Sequence, residues 1–168
     1  MSFKRRLCKM QPFTFGVQIT GMKEKLFVAG FALFISIALP AQQSPVFTTD
    51  GAAIHGYDAV AYFNDSKAVK GDSRLSFSWN GSNWYFANQK DLEAFKASPE
   101  KYAPQYGGYC AYGLANGHKA STEPDAWMIV NGKLYLNYNK EVQQKWIGKQ
   151  SSFIQTADKN WPALKDKE

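Results

Sequence analysis

Four side chains in this sequence could do chemistry beyond packing: Cys110, His118, His55 and Asp58. The chain has two cysteines and two histidines, and the other cysteine, Cys8, lies far upstream. A thiolate and an imidazole together suit zinc or copper, which are borderline and soft cations. His118 follows Cys110 by eight positions and His55 is remote. No CxxC or HxxxH spacing ties any pair together, so the spacing does not itself assemble a site. A second chemistry is nucleophilic: Cys110 as attacking thiol, His55 or His118 as base and Asp58 as orienting group. The third reading is bland. Free cysteine is among the most buried residue types, a loop histidine such as His118 is expected in solvent, and Asp58 after Gly56-Tyr57 most often closes a turn on backbone amides.

The segment Tyr106-Gly107-Gly108-Tyr109-Cys110-Ala111-Tyr112-Gly113 holds this thiol among glycines and tyrosines. Glycines at this density permit left-handed backbone and close approach. Tyrosines bring apolar bodies with polar tips that need partners when buried. The segment is therefore expected to be a packed turn or a ligand site. The Trp and Phe residues around it are expected in the core. Tyr109 and Tyr112 fit either the core or a pocket wall.

The elements that must position these groups follow from turn and cap signals. Leu75–Trp79 and Trp84–Phe86 flank Asn80-Gly81, and Trp127–Val130 and Lys133–Leu136 flank Asn131-Gly132. Asn-Gly between such runs predicts two β-hairpins. Val60–Phe63 reads as an edge strand. Asn88 predicts a helix N-cap with Asp91 in its first turn, ending at Ser98-Pro99. Cys110–Ala115 reads as a short helix closed by Gly117. Asn139 caps another helix, and a last one starts at Ser151 or Ser152 and stops at Pro162. Hairpins and three or four short helices that do not alternate as βαβ place the chain in the α+β class.

The 168-residue chain divides by composition. Met22-Lys23-Glu24-Lys25, the apolar run Leu26–Leu39 and the small residue Ala41 read as a signal peptide over 22–41. The run is shorter than the about 20 residues of a membrane span. Cleavage near Ala41 implies a periplasmic or secreted protein with no stable span afterwards. Residues 1–21 read as an upstream extension, with Met1 or Met22 as the start, and 42–50 as a flexible lead-in. The net charge is +6, but +5 of it lies in residues 1–41. The remainder, at +1, has no basic stripe for nucleic acid.

Tyr85-Phe86 through Phe95 to Pro99-Glu100-Lys101-Tyr102 resembles a YHS domain. The stretches Gly56–Phe63, Gly107–Ala111, Leu134–Asn139 and Asn160–Leu164 resemble the exported, single-domain branch of that family. The resemblance covers residues 51–165 and implies a small metal-associated scaffold. It also implies that Asp58 lies near the Cys110 segment, since both belong to recurrent motifs. Where the metal-type members carry cysteines, this chain has Ala61, Ala87 and Asp91, so the thiolate set is not inherited. The combined expectation is an exported binding protein that holds copper or zinc through Cys110, with His55, His118 and Asp58 as candidate partners. A thiol enzyme and an interaction module without its own site stand as alternatives, and no protein partner is specified.

Overall fold

In a computed structural model, the described residues are 45–167. The upstream extension, the signal peptide and its cleavage point near Ala41 lie outside them. Six helices and two small sheets make up the described residues, which is an α+β arrangement with more helices than the turn and cap signals imply.

The first sheet contains β1 (Thr48–Thr49), β2 (Ala52–Ala53), β3 (Asp72–Trp79) and β4 (Ser82–Phe86), in the order β1-β2-β4-β3. Asn80 and Gly81 both have positive φ, so β3 and β4 form the expected hairpin on a two-residue turn. The second sheet is the hairpin of β5 (Trp127–Val130) and β6 (Lys133–Leu136), turned at Asn131 and Gly132, again both left-handed. The lead-in expected over 42–50 is structured in its described part. Val46 is buried, the Phe47 N–H donates to Gly107 O at 2.8 Å, and β1 begins at Thr48. The two segments touch so closely that a Cβ on Gly107 would sit 1.9 Å from Pro45 O. Gly107 also has φ +61, so only glycine meets both demands.

The helices are α1 (Ala61–Asn64), α2 (Gln89–Ala97), α3 (Pro99–Tyr102), α4 (Ala111–Ala115), α5 (Lys140–Ile147) and α6 (Gln150–Leu164). Caps place two of them. Asn88 accepts from Asp91 N and donates to the Asp91 carboxylate, and Asn139 accepts from Val142 N. Val60–Phe63 is not an edge strand. The Asp58 carboxylate accepts from Val60 N at 2.8 Å and Ala61 N at 3.3 Å, which satisfies the first amides of a helical turn, and α1 results. Pro162 does not stop the last helix, which continues two residues further. Proline removes only its own donor, and Lys165 N still reaches Trp161 O at 2.8 Å.

The core forms two clusters that share one strand. Leu134 and Leu136 of β6 pack with Tyr62, Trp84, Phe86 and Phe95. Tyr135, on the opposite face, packs with Tyr106, Leu114, Trp146 and Ala157. Alternation along β6 thus supplies both clusters, and a strand buried on both faces reads as a continuous apolar run. The short segment that follows β6, beginning with Asn137, meets the Cys110 turn.

Candidate site at Cys110 and His118

Cys110 is the N-cap of α4 and is buried, with 1% of its surface exposed. Its backbone N–H donates to Ala120 O at 3.0 Å, which pins the turn to the loop after α4. The sulfur accepts from Gly113 N at 3.4 Å and from Tyr138 N at 3.2 Å, and it donates to Asn137 Oδ1 at an Sγ–Oδ1 distance of 3.9 Å. Burial pushes the thiol above its ordinary value of 9.0, while the amides of Gly113, Tyr138 and Tyr112 act in the opposite direction. The sulfur is therefore a protonated thiol at neutral pH that already has donors in place for a thiolate.

His118 lies at the same spot. Its backbone N–H donates to Gly113 O at 3.1 Å. A Cβ on Gly113 would lie 3.2 Å from His118 O and 3.5 Å from His118 Nε2, so the imidazole folds over the bare Gly113. Among the described residues no hydrogen bond engages either ring nitrogen. Cys110, Tyr112, Gly113, His118, Tyr138 and Val142 line one surface pocket of about 320 Å³. That volume is at the small end of ligand sites. Tyr112 is a pocket wall, edge-on to Phe153, whereas Tyr109 packs on Phe47 and Trp161 beneath the Lys119 ammonium.

His55 and Asp58 do not join this site. His55 sits in a left-handed turn, with φ +52, that aims its ring at two polar partners. Its Nε2 lies 2.6 Å from Thr122 O, and a carbonyl only accepts, so Nε2 carries the proton. Its Nδ1, 3.0 Å from Thr49 Oγ1, is then free to accept from that hydroxyl. Both nitrogens are used to tie β1 to the loop before β5.

Asp58 is fully buried, and both its oxygens are taken. Oδ1 serves the first turn of α1, and Oδ2 accepts from Ala87 N at 2.8 Å at the end of β4. The placement of Asp58 beside Cys110, expected from the shared motifs, is replaced by this role as a clasp between α1 and the first hairpin. Burial raises its carboxyl above the ordinary 3.8, with the three amides opposing. Among the described residues no three His, Cys, Asp or Glu side chains are grouped to hold a metal ion.

Two buried polar residues that brace the segment around Cys110 carried no clear signal in the sequence. Asn137 is fully buried. Its Oδ1 faces Cys110 Sγ and accepts from Tyr112 N at 3.4 Å, while among the described residues its Nδ2 has no partner. Thr122 is buried, donates from Oγ1 to Gly108 O at 3.0 Å and offers its carbonyl to His55. The signal for Asn137 was a polar residue directly after the apolar run of β6. Nothing local distinguishes Thr122.

Comparison with known proteins returns no match: no family model, no curated protein and no solved structure is significantly similar to the chain.

Proposed function

We propose that the protein is an exported, YHS-like binding module whose site is the pocket over Cys110 and His118. The observation that carries this reading is that the buried sulfur and an imidazole whose nitrogens are both unengaged among the described residues line the same small pocket. The occupant that suits these donors is a soft cation of low coordination number, copper(I). Thiolate prefers soft ions, and two protein donors suffice for copper(I). Zinc is less well supported, since a stable zinc site takes three or four protein ligands and, among the described residues, His55 and Asp58 are committed to other partners.

Each residue has a task in this account. Cys110 supplies the sulfur and gives up its proton on binding. The Gly113 and Tyr138 amides hold the negative charge on sulfur, as outer hydrogen bonds do around metal-bound thiolates. His118 supplies nitrogen from the open side, and the Tyr112 and Val142 side chains limit water. Export is supported by the signal-like stretch 22–41, and YHS membership by the motifs spread over 51–165. A thiol enzyme is less well supported, because burial raises the thiol and no imidazole is hydrogen-bonded to it among the described residues.

The test is anaerobic titration with copper(I) against a chromophoric chelator, repeated with zinc(II). The expected result is one equivalent of copper(I), no stoichiometric zinc, and at least tenfold weaker binding in both Cys110→Ser and His118→Ala. Copper uptake that survives both substitutions overturns the site. So does zinc uptake that depends on His55.

A further inference from the structure

A larger cavity, of about 460 Å³, shares no lining residue with the Cys110 pocket. Four aromatic side chains line it, among them the buried Trp84 of β4. Trp79 comes from the end of β3, Tyr106 from the turn before Cys110, and Trp161 from the last turns of α6. Trp79 and Trp161 are only half-buried, unlike Trp84 behind them, which is 1% exposed. Each is held by an edge-on neighbour: Trp79 by Trp84 at 5.7 Å, and Trp161 by Tyr106 at 6.0 Å. The Tyr106 hydroxyl is fixed in turn by Asp158 at 2.8 Å. The rings are thus rigid surfaces that stay partly open to solvent.

The rim is polar and of both signs. Glu100 from α3, Lys165 after α6 and Gln105 border the cavity. Among the described residues none of these three side chains has a hydrogen bond or ion pair. Their chemistry narrows the ligand. A simple cation would meet Lys165 and a simple anion would meet Glu100, each at a like-charge cost. A purely apolar ligand would leave carboxylate, ammonium and amide desolvated without partners. A neutral sugar avoids both problems. Its C–H face lies on an aromatic ring, and its hydroxyls both donate and accept, as carboxylate, ammonium and amide together require. Planar rings with a few convergent polar groups are also the usual make-up of a small-ligand site, and the volume accommodates one or two pyranose rings.

We propose that this cavity is a second binding site, for a neutral carbohydrate, with Trp79 and Trp161 as stacking surfaces and Glu100, Gln105 and Lys165 as the hydrogen-bonding rim. It is independent of the copper reading, because the two cavities have no lining residue in common. The test is a titration with cellobiose and with N,N′-diacetylchitobiose, followed by tryptophan fluorescence and by backbone amide NMR. The expected result is a saturable change with at least one disaccharide, with amide shifts centred on 79–80, 105–107 and 161–165.

Trp161→Ala should weaken that binding by at least tenfold. Trp161 also packs on Tyr109, so this variant can lose stability as well. Glu100→Gln provides the control, since Glu100 is exposed and, among the described residues, has no ion pair or hydrogen bond. It should weaken binding about tenfold, the worth of a hydrogen bond to a charged group, at unchanged melting temperature. Absence of saturation by either disaccharide to tens of millimolar overturns the proposal. Saturation by zwitterionic phenylalanine but not by a disaccharide does so too, as does disaccharide binding that neither substitution weakens.

Discussion

Replacing Asp58 by alanine should cost stability and leave copper binding intact, because the carboxylate clasps backbone and does not face the pocket. Three amides lose their acceptor: Val60 N, Ala61 N and Ala87 N. Val60 and Ala61 are fully buried, whereas Ala87 is exposed and its N–H can turn to water. Two buried donors left unpaired cost about 1–3 kcal/mol each. Removing a carboxylate that burial disfavours returns part of that. The net loss is expected at about 2–4 kcal/mol, or roughly 10 °C in melting temperature for a domain of this size. Asp58→Asn keeps one acceptor oxygen but turns an NH2 group toward one of the amides, so it should fall between wild type and alanine.

The pH dependence has a definite sign. The folded-state pKa of Asp58 is raised above 3.8. A raised carboxyl contributes most below its unfolded pKa, and the contribution is lost as pH rises through the folded value. The stability gap between wild type and Asp58→Ala should therefore be wider near about pH 3.5 than near pH 7. Urea denaturation followed by tryptophan fluorescence at both pH values measures it. A gap under about 0.5 kcal/mol, the usual range for an unremarkable surface change, together with loss of copper binding, would show that Asp58 is a ligand and that the clasp is misread.

Four further outcomes follow from the same geometry. Copper(I) affinity should rise about tenfold per pH unit from neutrality up to the thiol pKa, which lies above 9.0, because each ion displaces one proton from Cys110; competition titrations at three pH values would read the slope. Alkylation of Cys110 in the native protein should be far slower than in urea, since the thiol is both buried and protonated, and equal rates would contradict its placement. Gly107→Ala should destabilise by several kcal/mol, because the added methyl meets Pro45 O, whereas Gly117→Ala, at φ +83 with nothing within 4 Å, should cost only about 1 kcal/mol of backbone strain; chemical denaturation compares the two. His55→Ala should lower the melting temperature by a few degrees through loss of the Thr49 and Thr122 contacts, with copper binding unchanged.

Local signals carried much of the architecture. Asn80-Gly81 and Asn131-Gly132 specified both hairpins, because their left-handed conformation is a property of two adjacent residues. Asn88 and Asn139 marked helix starts by the same kind of short-range bond. The edge strand expected at Val60–Phe63 failed because an apolar run of four has no decisive period. A carboxylate two residues earlier settled it, through bonds that hydropathy does not register. The two-residue strands β1 and β2 escaped notice because they exist only by pairing across a turn and, at Ala52, with Asn83.

The candidate site was legible in part. Residue type alone named Cys110 and His118, and the fold places both on one pocket. Their pairing depends on Gly113, whose missing side chain leaves room for the imidazole. That is a three-body relation which spacing along the chain does not encode. His55 and Asp58 had equally suitable chemistry, but their partners, Thr122 O and Ala87 N, lie 67 and 29 positions away. The second cavity was invisible for the same reason, since Trp79, Tyr106 and Trp161 meet only after folding.

The most direct measurement is an anomalous difference map from crystals of the protein treated with silver(I), a redox-inert stand-in for copper(I). A single strong peak within bonding distance of both Cys110 Sγ and a His118 ring nitrogen is the predicted result. A peak on His55 or on a methionine with none at Cys110, or no peak in the pocket at saturating silver, would contradict the assignment.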